Sequence, residues 1–220
     1  MQEKQTQPLT TKLVWITPDA EKVIAYCARV SNPANQDKPV GNLLKYCMEH
    51  GHVSVFETAS ACVEINTTRE IARQMLRHRS FSFQEFSQRY ADVSSLATEP
   101  MFTEARLQDT KNRQNSISTD DQELQNWWDY QCHAVQTMTQ QVYHEALKRG
   151  FAKEVARKVL PEGLTMSRLY MSGTIRSWIH YCNLRSAHGT QLEHMDVAKS
   201  ITPLLKEHFP ESGELLFPTS

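Results

Sequence analysis

A chain of 220 residues and 25.3 kDa makes one large domain or two small ones, and it should bury about 70% of the surface its unfolded form exposes. With 40% hydrophobic and 22% charged residues, and only 7 Gly and 9 Pro, it is not collagen-like, low in complexity or wholly disordered. A balance of 24 Lys and Arg against 25 Asp and Glu, with a pI near 6.8, argues against wholesale nucleic-acid binding, so any anion site must be local.

In chain order, Met1 to Gln7 is polar and lacks the apolar core of a signal segment. No apolar run approaches the roughly 20 residues of a membrane span, so a cytoplasmic protein without membrane partners is expected. A helix is predicted from Thr17, with Pro18 in its first turn, Asp19 and Glu21 at its positive end, and Val23, Ile24, Cys27 and Ala28 at helical spacing. A second, from about Gly41 to His50, presents Leu43, Leu44, Cys47 and Met48 and stops at Gly51. Ala59, Ala61, Val63 and Ile65 alternate with Ser60, Cys62 and Glu64, which is a strand pattern. Thr67-Thr68-Arg69-Glu70 reads as a capping box opening a short helix through Ile71, Ala72, Met75 and Leu76.

Residues 94–121 form a polar, loop-rich excursion. A long amphipathic helix from about Gln122 to Arg149 is closed by Gly150, and a shorter one from Ala152 to Leu160 is ended by Pro161. Two more are predicted over Ser172 to Asn183 and Thr190 to His208, the latter kinked or restarted at Pro203. Helices outnumber strands, and the strands fall in the first half at hairpin-like spacing. The expected fold class is α+β: helices packed around a small antiparallel sheet in a single domain covering 1–220.

The five cysteines, Cys27, Cys47, Cys62, Cys132 and Cys182, are odd in number, widely spaced and without a Cys-x-x-Cys pair. They read as reduced, mostly buried thiols. His50-Gly51-His52, with Ser54 and Glu57 nearby, lacks a third ligand of convincing spacing, so no metal is expected.

Chemistry concentrates elsewhere. Arg77, His78, Arg79, Gln84, Glu85, Ser87 and Arg89 fall within thirteen residues, interleaved with Phe81, Phe83, Phe86 and Tyr90. Guanidiniums crowded around an imidazole repel unless anions intervene, and fork-shaped donors beside aromatic faces suit a phosphate carrying a flat ring. A solvated charged face at a helix end accounts for the same residues. Downstream, Glu154, Arg157 and Lys158 share a helix, while Arg176 and His180 stand four apart on one helical face with Arg185 beyond. A surface helix laced with salt bridges fits that pattern as well.

One pattern is more specific. Arg77-His78-Arg79, seven residues and then Ser87 resembles the signature of the flavin-dependent thymidylate synthases, in an extended form running from Ala72 to Tyr90. Ala28-Arg29-Val30-Ser31 and the stretch from His50 to Glu57 resemble the family's earlier motifs. The stretches from Glu154 to Pro161 and from Asn183 to Glu193 resemble its later ones, in the expected order.

The resemblance implies reductive methylation of dUMP to dTMP. In that reaction 5,10-methylenetetrahydrofolate supplies the carbon, tightly bound FAD carries hydride and NADPH refills it. It also implies a homotetramer whose active sites form between subunits. For dUMP the matching positions are Gln74, Arg77, Glu85, Phe86, Ser87, Gln88, Arg89, Arg157 and Arg185. Arg185 is implied as the catalytic cation that stabilises the uracil anion near N3 or O2. A serine nucleophile would need a base, and the surrounding sequence supplies only Glu85 and arginines, so Ser87 is assigned to the phosphate. For FAD the positions are Ser54, Arg77, His78, Arg79 and Glu85, joined by Thr174, Ile175, Arg176 and His180, with His52 as a gate or proton-relay group near flavin and folate. No Gly-x-Gly-x-x-Gly occurs, so the dinucleotide is not expected on a Rossmann turn. The chain departs from the pattern at Thr174, where many members carry Asn, at Thr58, where His is common, and around His188-Gly189, where a His often sits one position later.

Overall fold

Thr10–Ile16 form a strand, β1, and the residues after it delay the first helix. Thr17 donates its N–H and its hydroxyl to the Ser60 carbonyl at 2.9 and 3.2 Å, so it is tied to a strand and cannot cap. Asp19 then takes a left-handed conformation at φ 51°, and α1 begins only at Ala20, ending at Ala28. The expected start at Thr17 is corrected accordingly. The structure is a computed structural model that describes residues 9–96 and 101–218. The polar segment Met1 to Gln7 lies outside the described residues.

Further on, α2 (Leu43–Glu49) stops before Gly51, whose φ of 70° favours glycine, as the sequence predicts. Strand β2 runs over Ser60–Thr68 and α3 over Arg69–Met75. The capping box between them does not form: Thr68 makes no side-chain cap, and the buried hydroxyls of Thr67 and Thr68 have no partner among the described residues, while the Arg69 N–H donates to the Thr165 carbonyl at 2.9 Å. Strand β3 (Ser82–Glu85) comes next. Of the stretch 94–121, residues 97–100 lie outside the described residues, and the rest carries an antiparallel hairpin of β4 (Arg106–Gln108) and β5 (Ser116–Ser118).

The long helix is α4, Gln122–Lys148, with Asp121 accepting from the Glu123 and Leu124 N–H groups as its cap and Gly150 at φ 84° beyond its end. The next predicted helix shortens to α5 (Lys153–Ala156) and a 3-10 turn over Arg157–Val159. Ser172 starts no helix. It lies in strand β6, Met166–Thr174, and α6 occupies Ile175–Arg185. Last come α7 (Leu192–Lys206), which continues past Pro203 without restarting, and α8 (Gly213–Leu216).

The larger sheet has the order β1-β2-β6-β3, so its strands are not confined to the first half, and β6 comes from the C-terminal third. The α+β class with a small antiparallel sheet is as expected. The residues group into two compact units: one contains Asn66–Arg77 and Glu85–Leu169, the other Thr10–Ile65, His78–Gln84 and the chain from Tyr170 on. In the first, Ile71, Ala72, Met75, Tyr143 and Leu169 are fully buried. In the second, Phe56, Val63, Trp178, Tyr181, Val197, Ile201 and Phe217 make the core. There Gly173 permits a close approach, because a Cβ at that position would lie 2.5 Å from the Phe81 ring. All five cysteines are free thiols, four of them buried.

Candidate functional site

The first unit collects most of the residues expected to hold a nucleotide. Gln74 is half-buried near the end of α3, where its carbonyl accepts the Arg77 N–H at 3.3 Å, and Arg77 is exposed beyond it. The Ser87 carbonyl accepts the N–H groups of Tyr90 and Ala91, both at 3.0 Å, making a tight turn that carries exposed Ser87 and Arg89. The Phe86 N–H donates to the Arg168 carbonyl at 2.8 Å, and the Arg168 Nε donates to Asn66 Oδ1 at 2.8 Å, which fixes the base of the turn. Arg89 Nε pairs with Glu154 Oε2 at 3.2 Å, and half-buried Arg157 follows α5. Both members of that pair are largely exposed, so it contributes under about 1 kcal/mol, and a phosphate dianion can displace Glu154 at small cost.

Glu85 is differently placed. It is largely buried and accepts from Ser167 Oγ at 2.8 Å and from Arg69 Nη1 at 3.5 Å. Gln88 is buried, with Nε2 unpartnered among the described residues. Arg69, Ser167 and Arg168 escape sequence reasoning: Arg69 is absorbed into the capping-box pattern, and the other two lie in the stretch between the helices ended by Pro161 and begun at Ser172, to which no element is assigned.

The second unit holds Arg185 and a cavity of about 820 Å³. The cavity has apolar walls from Met48, Val53, Phe56, Ile179 and Leu184, and polar groups from Arg176, His180, Ser177 and Asn183. Arg176 and His180 share one face of α6, as their spacing predicts, and Arg176 forms an ion pair with Glu57. Thr174 caps α6, its hydroxyl accepting the Ser177 N–H at 3.3 Å. Ile175 is buried and its N–H goes to the Ala59 carbonyl at 2.9 Å, so it shapes the site from the core. Ser54, His52 and Arg79 are exposed, Ser54 in the 3-10 turn Val53–Thr58 and His52 edge-on to Tyr46. Apolar walls with a guanidinium and an imidazole among them have the chemistry to take a ring that carries an anionic group.

Beside the cavity, Arg185 Nε donates to His78 Nε2 at 3.0 Å. Burial, then the Arg185 guanidinium, then His180 push the His78 pKa down to about 4. His194, fully buried, is held at about 3 by burial, Arg185 and His78, and its Nε2 hydrogen-bonds the Tyr181 hydroxyl at 3.1 Å. Burial raises the Tyr181 pKa. Both imidazoles are therefore neutral at physiological pH. Unfolded, each takes a proton near pH 6.5; folded, only near 4 and 3. The folded values lie below the unfolded one, so the stability is fully present above about pH 6.5 and falls as the pH drops from there towards 4, by up to about 1.4 kcal/mol per pH unit for each histidine. Urea midpoints should fall between pH 7 and pH 5, and His194→Leu should flatten the slope. A midpoint unchanged over that range would contradict these assignments.

Among the described residues no group of three or more His, Cys, Asp or Glu could hold a metal ion, and no helix is long and apolar enough to cross a membrane. A family model described as thymidylate synthase complementing protein matches residues 12–211.

The chain belongs to this family, that of the flavin-dependent thymidylate synthases.

It is 50% identical over 199 residues to a probable flavin-dependent thymidylate synthase of Paramecium bursaria Chlorella virus 1, covering 90% of each. It is 49% identical over 190 residues to a flavin-dependent thymidylate synthase of Synechocystis sp., covering 86% of each. A crystal structure of the UMP/dUMP methylase PolB from Streptomyces cacaoi, bound with 5-Br dUMP, superposes with a TM-score of 0.79 at 23% identity, covering 94% of both chains, so the fold is shared. The family membership that Arg77-His78-Arg79 and Ser87 suggest is thus met across nearly the whole chain.

Proposed function

We propose that this chain is a flavin-dependent thymidylate synthase, converting dUMP to dTMP with 5,10-methylenetetrahydrofolate as carbon donor and NADPH as reductant. The observation that carries this reading is the Arg185 guanidinium, half-buried and clamped by a neutral imidazole, in a chain half identical to relatives of that name. Uracil C5 is a weak carbon nucleophile, and a fixed cation near O2 or N3 stabilises the charge that develops as the ring is activated. Arg185 is that cation. The dUMP phosphate is held by Arg77, Arg89 and Arg157 with Ser87 and Gln74, aided by backbone N–H groups from Phe86 to Gln88, and this fixes the ring's position. Glu85, already clamped by Arg69 and Ser167, suits a neutral ribose hydroxyl rather than the dianion.

FAD, when bound, supplies hydride carriage. The residues that would hold it are Arg176 and His180 at the cavity, together with Ser54, Arg77, His78, Arg79, Glu85 and the Thr174-Ile175 cap of α6. His52 gates flavin and folate. No protein nucleophile is assigned, because Ser87 is placed on the phosphate and has only Glu85 and arginines near it in sequence.

The working form is a homotetramer with shared active sites in the cytoplasm, and residues 1–220 act as one functional domain with 94–121 at its rim. Support comes from α4, where Tyr130, Met138 and Val142 are exposed and continue into an apolar groove with Phe151 and Val155, the kind of surface that marks an interface. The purified protein should be yellow, with bands near about 370 and 450 nm from oxidised flavin. A colourless protein that FAD does not reconstitute would contradict the reading.

A further inference from the structure

Tyr181 and His194 belong to none of the motifs, yet both are fully buried beside the activating arginine. The His194 Nε2 to Tyr181 hydroxyl bond, 3.1 Å, joins α7 to α6 and supplies the partner that a buried phenol needs. The Tyr181 ring in turn meets the His78 imidazole edge-on, with centroids 5.0 Å apart at 77°. His194 and Phe81 stand nearly perpendicular to the same imidazole, at 6.3 Å and 88° and at 6.5 Å and 82°. Boxed by three rings, His78 has little freedom to turn, and its Nε2 stays directed at Arg185 Nε. That bond takes the Nε–H alone among the described contacts of Arg185, leaving the terminal Nη1/Nη2 fork open. Such a fork matches two adjacent acceptors on a planar ring.

We propose that Tyr181 and His194 are positioning residues that, through His78, aim the open fork of Arg185 at the uracil ring. The inference rests on the reading of Arg185 as the uracil-activating cation. The chain of contact is His194 to Tyr181 to His78 to Arg185, and each link constrains the next. The titratable and charged groups facing His78 are Arg185, His180 and Tyr181 on α6 and His194 on α7. Because Nε2 must accept, a proton there breaks the clamp and sets two cations against each other, so the ring box also keeps the clamp working at mildly acid pH.

The test measures tritium release from C5-labelled dUMP by the FAD-loaded enzyme across pH, for Tyr181→Phe, His194→Leu and His194→Gln. Tyr181→Phe keeps the ring but not the hydroxyl, and His194→Gln keeps a side-chain partner for that hydroxyl. Tyr181→Phe and His194→Leu should each lower kcat about tenfold, with the KM for dUMP within about twofold, because aim is lost rather than phosphate binding. Their acid limb should also move to higher pH, while His194→Gln recovers most of the wild-type rate. In enzyme labelled with 15N-histidine, His78 Nε2 should remain an unprotonated acceptor to lower pH in the wild type than in Tyr181→Phe. A Tyr181→Phe enzyme with wild-type kcat and acid limb overturns the proposal, as does an unchanged His78 resonance. Equal losses in His194→Gln and His194→Leu also overturn it, since they would mean that packing alone matters. Arg185→Ala, assayed alongside, separates the failures: if it turns over, the reading of Arg185 falls, whereas a dead Arg185→Ala beside an unaffected Tyr181→Phe sinks only the positioning role.

Discussion

Arg185→Ala is expected to lower dUMP turnover about a hundred- to a thousandfold, the usual cost of removing one preorganised donor from developing charge, while FAD stays bound. The reason lies in how the guanidinium is held. Its partner His78 is neutral and both side chains are half-buried, so its charge is less screened than at the surface and its orientation is set before substrate arrives. The proposed flavin contacts, Arg176 and His180, lie on the other part of α6 and line the cavity without it. Arg185→Lys should not rescue, because an ammonium has no Nε–H for His78 and no planar fork. Stopped-flow assay of dUMP-dependent flavin oxidation, with flavin content read from the visible spectrum, separates the two roles. Loss of FAD in Arg185→Ala would contradict the assignment.

Trp178→Ala is expected to cost about 4 kcal/mol of stability. The side chain is fully buried on α6, its indole N–H donates to the Ala61 carbonyl at 3.1 Å, and its ring packs edge-on to Phe81 at 4.8 Å and Tyr181 at 5.9 Å. Removing it leaves a cavity, a buried carbonyl of β2 without its side-chain donor, and a loosened box around His78, so two of the larger mechanisms of destabilisation act together. Trp178→Phe fills most of the space but not the hydrogen bond, and should lose about 1–2 kcal/mol. Urea unfolding at constant slope measures both. A loss below about 1 kcal/mol for the alanine variant would mean that the core around α6 collapses into the gap.

Much of the fold is legible in the residues because its signals are local. Gly51 and Gly150 stop helices where positive φ is needed, Asp121 caps α4, and the alternation from Ala59 to Ile65 produces β2. What escapes is decided at a distance. Thr17 looks like a cap until Ser60 claims its hydroxyl, and Thr68 looks like one although its buried hydroxyl reaches no N–H of the helix. Strand β6 hides in a stretch whose last three residues read as a helix start, since only pairing within the sheet gives Ser172 its extended conformation. At the site, the arginine- and serine-bearing segments are visible because the chemistry needs those residue types at fixed spacing. Arg69, Ser167, Tyr181 and His194 are not, because each matters only through a partner far along the chain. A tyrosine followed thirteen residues later by a histidine carries no periodic signal.

The most direct measurement is tritium release from dUMP labelled at C5, with methylenetetrahydrofolate and NADPH present, by protein stripped of flavin and then reloaded. Release should be negligible in the stripped protein, return with added FAD in proportion to the flavin bound, and disappear again in Arg185→Ala. Release that proceeds undiminished without flavin, or none from protein carrying one FAD per chain, would contradict the function proposed for this chain.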